Sequence, residues 1–234
     1  MKKKGIIWVF ISFFLILVMS SWAWGLQLSD DQVYGYNRVR LFSSNNRVGK
    51  KVALTFDDVP NIYTLKILKI LRSYRIKSTF FLVGYQVRRH PDVAKEIVHQ
   101  GHELGNHSYS HRWNGGITVD NLIQDIQDAE KCIVEVTGRM PLYLRPPGGL
   151  IDENIKKACG LSGYGIVLWT VDSKDWFYPD SKQTILNNVL NHVKSGSIIL
   201  FHSLSQTVEV LPEVIETLQN QGYQIGSVSS LLSQ

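Results

Sequence analysis

VALTFDDVPN, residues 52–61, runs through uncharged residues from Val52 to Phe56 and then meets two adjacent carboxylates, Asp57 and Asp58, ahead of Val59 and Pro60. The run before the acids is short and apolar, which reads as a buried strand. Directly after it, Ile62, Leu65, Leu68 and Leu71 recur at helical spacing, so 62–74 is expected to be a helix. A strand followed at once by a helix is half of a βα unit, and the alternation continues down the chain. Short runs rich in β-branched and aromatic residues fall near 52–57, 79–83, 103–107, 142–145, 165–171, 198–202 and 224–228. Helical periodicity fills segments near 92–100, 119–136, 152–159, 182–194 and 208–220. Thr118 is the expected N-cap of the 119–136 helix and Gly138 its stop. Gly101, Gly160, Gly196 and Gly222 each follow a helical segment, where a left-handed residue is wanted. About seven strands alternating with helices imply parallel pairing, hence an α/β barrel or a doubly wound sheet.

With 234 residues, 44% of them hydrophobic and 19% charged, the chain has room for one sizeable core and no need of a second. The net charge is +5, but apart from Lys2, Lys3 and Lys4 the basic residues are scattered, so no nucleic-acid stripe stands out. A mildly basic surface suits an anionic envelope polymer. The first 25 residues have the three zones of an export signal: the lysines, an apolar run from Ile6 to Met19, and small residues at Ser21, Ala23 and Gly25. Cleavage after Ala23 or Gly25 fits this pattern, and so does an uncleaved anchor, because the run extended through Trp24 nears the roughly 20 residues that span a bilayer. In both cases the domain is expected outside the cytoplasm, secreted or held on the outer face of the membrane. Residues 26–49 read as a polar lead-in and 50–234 as the catalytic-size domain. Cys132 and Cys159 both sit on expected helices, and a structural disulfide is not expected.

In βα folds the active site lies at the strand C-termini, whose loops gather on one face. Just past or within five of the runs stand Asp57 and Asp58, HSYSH (107–111), RPPGG (145–149), DSKDW (172–176) and LFHS (200–203). An Asp pair there also suits helix capping. The HxxxH spacing is more specific: seven histidines would produce it roughly 0.2 times by chance, and two imidazoles one helical turn apart can aim at one metal. Asp58 with His107 and His111 makes a three-ligand set that leaves a coordination position open. Asp57 is then the available general base, Arg145 the group that holds it ionised, and Gly148 a source of a backbone N–H toward an oxyanion. His202 is the candidate acid and Asp175 the partner that keeps it protonated, while Trp176 and Leu200 offer apolar surface for an acyl methyl. Asp172 reads as structural.

TFDDVP, HSYSH, RPPGG, DSKDW and LFH, in that order over about 150 residues, resemble the five motifs of the polysaccharide deacetylase family, the NodB-homology domain of carbohydrate esterase family four. The resemblance implies a distorted (β/α)7-type barrel, a divalent metal, usually zinc, and hydrolysis of acetyl groups on sugar polymers. Matched residue by residue, it assigns the base to Asp57, the metal ligands to Asp58, His107 and His111, and the base-orienting arginine to Arg145. It assigns the acid to His202, the tuning aspartate to Asp175, and the acetyl pocket to Trp176 and Leu200. The expected partner is an acetylated glycan, with no nucleic acid, membrane contact only through the N-terminal segment, and a monomeric domain.

Two positions depart from the family pattern. Val59 stands where TFDDGP has glycine, so a positive φ there would strain a β-branched residue and shift Asp58. Gly148 stands where many relatives carry a larger side chain, which opens the cleft without removing the N–H. Val59 motivates one alternative, a glycan-binding member with little or no turnover. A second alternative is an amidohydrolase on a non-sugar amide, which the export signal disfavours. The dedicated acid favours an N-acetylated amino-sugar polymer, peptidoglycan or chitin-like, over O-acetylated xylan, because an amine leaves only when protonated.

Overall fold

The computed structural model describes residues 40–45 and 49–233. Nine strands are present among them: β1 Leu41–Phe42, β2 Lys51–Val59, β3 Thr79–Leu82, β4 Glu103–Asn106, β5 Tyr143–Leu144, β6 Gly165–Val167, β7 Val171–Asp172, β8 Ile198–His202 and β9 Gln224–Gly226. The α-helices are α1 Thr64–Ser73, α2 Gly84–Arg89, α3 Pro91–His99, α4 Val119–Thr137, α5 Glu153–Leu161, α6 Lys182–Leu190, α7 Ser205–Asn220 and α8 Val228–Leu232. The strands form one sheet in the order β1-β6-β5-β4-β3-β2-β8-β7, with β9 on the start of β2, and each named pairing is parallel. It is a curled half-barrel with surrounding helices, in keeping with the expected (β/α)7-type barrel.

Strand β2 shows how the sequence separates the two faces. Val52, Leu54 and Phe56 join the large cluster with Ile67, Leu68 and Leu71 of α1 and Val210, Val214 and Ile215 of α7. The alternate residue Ala53 instead meets Phe81, Val167 and Ile198, from three different strands, together with Val228, Leu231 and Leu232 of α8. Contact between side chains of such distant strands is possible only inside the curl. Thr55 and Asp57 continue that inner face toward the strand C-terminus, so the strand period alone delivers Asp57 to the mouth of the barrel.

Four expectations change. The 62–74 stripe is wrong at its start: α1 begins at Thr64 and buries Thr64, Ile67, Leu68 and Leu71, leaving Ile62 and Leu65 exposed. Asn61 is the cause, since its Nδ2 donates to the carbonyls of Asp58 and Ser203 and holds the entry as a turn. The end of the lead-in belongs to the domain, because Leu41 and Phe42 pair with β6, and Asn45 is buried against Gly196 and donates to the Leu231 carbonyl. The 165–171 run is two strands, β6 next to the β1 edge of the sheet and β7 at the opposite edge, so residues 168–170 join the two ends of the curled sheet. Gly160 lies inside α5, while Gly101, Gly138, Gly196 and Gly222 do have positive φ, and Thr118 caps α4 through the Asn121 N–H. Cys132 and Cys159 are buried free thiols.

At the other end of the barrel, His102 is buried edge-on to Phe80, and its Nδ1 accepts the Ser78 N–H. Burial, with a smaller contribution from Lys77, pushes its pKa down to about 4. The unfolded chain therefore binds a proton that the folded chain refuses between about pH 6.5 and 4, and stability falls as pH drops through that window. The full effect is about 3 kcal/mol. Denaturant unfolding of wild type and His102→Leu at pH 7 and pH 4.5 measures it: the acid loss is expected to shrink in the variant, and equal losses would refute the assignment.

Candidate active site

Asp58, His107 and His111 converge at the C-terminal mouth of the half-barrel, and one donor atom from each lies within 4.8 Å of the others. His111 Nε2 is 3.1 Å and His107 Nε2 3.8 Å from Asp58 Oδ1. Two ligands about 2.1 Å from a tetrahedral ion are separated by about 3.4 Å, so the spacing fits one. The second shell fits as well: His107 Nδ1 lies 2.7 Å from the Arg145 carbonyl, which fixes the tautomer with Nε2 free to coordinate. Burial, only partly opposed by Asp57 and Asp58, lowers the His107 pKa, favouring the neutral imidazole that a metal needs.

Local backbone conformation makes this convergence possible. Among the described residues, the non-glycine positions with positive φ are Asp58 (58°), Arg75 (56°), Ser108 (64°), His111 (54°) and Lys174 (54°), and all but Arg75 belong to the motif loops at this mouth. Such conformations persist only where the surroundings over-determine them. At 107–111 those surroundings are visible: Asn106 Oδ1 accepts the Ser108 N–H, Ser108 Oγ the His111 N–H, and Asp125 the N–H groups of Tyr109 and Ser110 and the Trp113 indole. Asp125 was not singled out in the sequence. Its signal was available, since it is a charge beside Leu122, Ile126 and Ala129 on the buried stripe of α4. Val59 is relieved of the expected strain: the positive φ falls on Asp58, and Val59 is a core strand residue packed in the large cluster. The side chain that replaces glycine is accommodated.

Asp57 is buried beside the candidate metal ligands, with Arg145 Nη1 2.7 Å from its Oδ1. Burial pushes the carboxyl pKa up, but the charges of Arg145 and His202 and the Arg145 hydrogen bond outweigh it and hold Asp57 below the usual range. Arg145 itself is 0% exposed. Its Nε donates to the Val167 carbonyl, its Nη2 to the Leu168 carbonyl, and its Nη1 to Thr55 Oγ1 as well as to Asp57. A charge buried so completely is tolerable only because it is paired and its donors are used.

Asp175 is also buried, and its carboxylate accepts from Thr207 Oγ1, from the Trp176 and His202 N–H groups, and from His202 Nδ1 at 2.7 Å. Burial alone would push the His202 pKa down, but the Asp175 hydrogen bond and the charges of Asp175, Asp57 and Asp58 raise it to about 9. With Nδ1 tied to Asp175, Nε2 is the atom that can give a proton away. A catalytic acid with that pKa loses its proton as pH rises, so activity is expected to fall on the alkaline side. Removing the counter-charge with Asp175→Asn is expected to move that limb down by at least about 1 pH unit, toward the ordinary histidine value. A pH–kcat profile of the two proteins checks this, and an unmoved limb would exclude His202 as the acid.

The remaining sequence candidates divide. Trp176 is 57% exposed, with its ring edge-on to Phe177 5.4 Å away, and it offers apolar surface at the rim. Leu200 shares the His202 face of β8 but is only 2% exposed, so it is a floor and offers little surface of its own. Gly148 is exposed with φ 65°, and no heavy atom lies within 4 Å of where a Cβ would stand, so the space beside it is open. Asp172 is structural, as expected: its Oδ1 accepts the Lys174 N–H.

Comparison with known proteins points to one family. The family profile described as polysaccharide deacetylase matches residues 44–167. The chain is 39% identical over 190 residues to a peptidoglycan-N-acetylglucosamine deacetylase of Bacillus cereus, covering 78% of this chain and 88% of that protein. It is 35% identical over 184 residues to a peptidoglycan-N-acetylmuramic acid deacetylase of Bacillus subtilis, covering 78% of this chain and 38% of that one. A solved structure of a carbohydrate esterase family four pseudoenzyme from Bacillus anthracis superposes with a TM-score of 0.78 at 32% identity, over 82% of this chain and 68% of that chain.

Proposed function

Because the chain belongs to the polysaccharide deacetylase family, we propose that it removes N-acetyl groups from an amino-sugar polymer of the cell envelope, peptidoglycan or a chitin-like chain. The observation that carries the reading is a buried acid and a partly buried imidazole with opposite proton preferences on either side of one candidate metal site: Asp57 held ionised by Arg145, and His202 held protonated by Asp175. A divalent ion, zinc by the chemistry of one carboxylate and two imidazoles, would be held by Asp58, His107 and His111, where it would polarise the acetamide carbonyl and acidify a water.

The residues supply the rest. Asp57 takes a proton from the water as its oxygen attacks the acetamide carbon, and Arg145 keeps the carboxylate aimed and charged beforehand. The Gly148 N–H faces the oxyanion of the tetrahedral intermediate. His202 then passes its Nε2 proton to the nitrogen as the C–N bond breaks, leaving acetate and a free amine. An amide needs that proton more than an ester does, which is why the His202–Asp175 pair favours an N-acetyl substrate. The N-terminal sequence supports action outside the cytoplasm, on the envelope itself.

Acetate release from acetylated chitooligosaccharide, peptidoglycan and acetylxylan tests the reading. Activity on either amino-sugar substrate is expected, and activity confined to acetylxylan would overturn it. The likeness to a pseudoenzyme favours a second reading, glycan binding without turnover; release from none of the three, with oligosaccharide still bound, would establish that one.

A further inference from the structure

Trp169 has no part in the five motifs, yet it touches two pieces of the machinery. It lies in the 168–170 segment that connects β6, beside the β1 edge of the sheet, to β7 at the other edge. The two carbonyls just before it, of Val167 and Leu168, receive Arg145 Nε and Nη2, both at 3.0 Å. The indole centroid is 5.5 Å from the guanidinium carbon, and the Phe81 ring, at 4.1 Å, also lies against that carbon. The six-membered edge of the same indole presses on the loop that carries Gly148. A Cβ placed on Gly149 would stand 2.6 Å from Trp169 Cη2, 3.2 Å from Cζ3 and 3.4 Å from Cζ2. Gly149 is therefore required twice, by its φ of 68° and by the absence of any room over its Cα.

We propose that Trp169 is a positioning residue that fixes the Gly148 N–H relative to the Asp57–Arg145 pair, by wedging one rigid indole between the guanidinium and the Pro147–Gly149 turn. An oxyanion donor acts only if it is preorganised at the place where charge develops. The turn's own backbone bonds are short-range, Gly149 N–H to the Pro146 carbonyl at 2.9 Å and Leu150 N–H to the Pro147 carbonyl at 3.4 Å, and these set its shape but not its place in the mouth. The indole sets the place. Since Arg145 and the turn are consecutive in sequence but point to different tasks, a single wedge touching both keeps base and oxyanion donor in fixed relation.

The role rests on the deacetylase reading, and the experiment separates the two. Trp169→Leu is expected to lower kcat on acetylated chitooligosaccharide by 10–100-fold, with KM and metal content nearly unchanged, because an interaction made only in the transition state is weakened. Gly149→Ala is expected to lower kcat at least as far. Trp169→Phe removes the atoms that the new methyl would strike, so the Gly149→Ala/Trp169→Phe pair is expected to be more active than Gly149→Ala alone. A purely structural role would not give rescue in kcat at constant metal content. Hydrogen–deuterium exchange over residues 146–150 reads the wedge without turnover: faster exchange in Trp169→Leu is expected even if no substrate is found. Unchanged exchange in Trp169→Leu, wild-type kcat in that variant, or no rescue in the double variant would overturn the proposal, whereas a wild-type protein that releases no acetate would count against the function alone.

Discussion

Asp57→Asn is expected to reduce turnover by about 10³-fold while leaving metal content near that of wild type. The asparagine keeps the shape of the carboxylate and can still accept from Arg145 Nη1, but it cannot take a proton from water. The candidate metal ligands are separate groups, and His107 Nε2 stands 3.6 Å from Asp57 Oδ2. The substitution also leaves the fully buried Arg145 without its counter-charge, so a stability loss of about 3 kcal/mol is expected alongside. Turnover must therefore be normalised to folded, metal-loaded protein, measured by elemental analysis and by denaturant unfolding. If most activity survives, the base is another group, and the division of labour between the two adjacent aspartates is wrong.

His107→Ala is expected to fail in the opposite order, losing the metal first and activity as a consequence. His107 is buried, and it anchors the site from both ring nitrogens, Nε2 toward Asp58 and Nδ1 on the Arg145 carbonyl. Loss of a residue that merely orients a ligand typically lowers metal affinity 10–100-fold, so removal of a ligand should exceed about 100-fold. Titration with zinc and elemental analysis after purification without chelator read this directly. Metal content equal to wild type would remove His107 from the ligand set and with it the meaning of the HxxxH spacing.

Between them these variants test a site that was unusually legible. Asp57 and Asp58 end a strand whose apolar run is unmistakable, and alternation along β2 puts successive residues on opposite faces, so one of two neighbours must point into the barrel. HSYSH and RPPGG likewise stand at strand ends, where loops of a parallel sheet collect. Less legible were the helix entry at Asn61, whose side-chain bond to the Ser203 carbonyl spans most of the chain, and the burial of Phe42 and Asn45. Each depends on contacts with partners far away in sequence, which no local period encodes. At Val59 the conditional strain does not arise, because the positive φ belongs to its neighbour Asp58.

The sequence by itself determined the alternation of strands and helices along most of the chain, the end of the sheet at which chemistry would gather, and the residue types gathered there, because these follow from periodicities of a few residues and from side-chain chemistry. Tertiary structure decided which groups are charged and how they are aimed. The low pKa of Asp57 and the high pKa of His202 arise from burial opposed by particular neighbours, Arg145 and Asp175, which are brought from other strand ends. The supports provided by Asp125, Thr207 and Trp169 exist only once the sheet has curled, since a hydrogen bond or a ring contact needs partners placed to within a fraction of an ångström, and that placement is a property of the folded barrel.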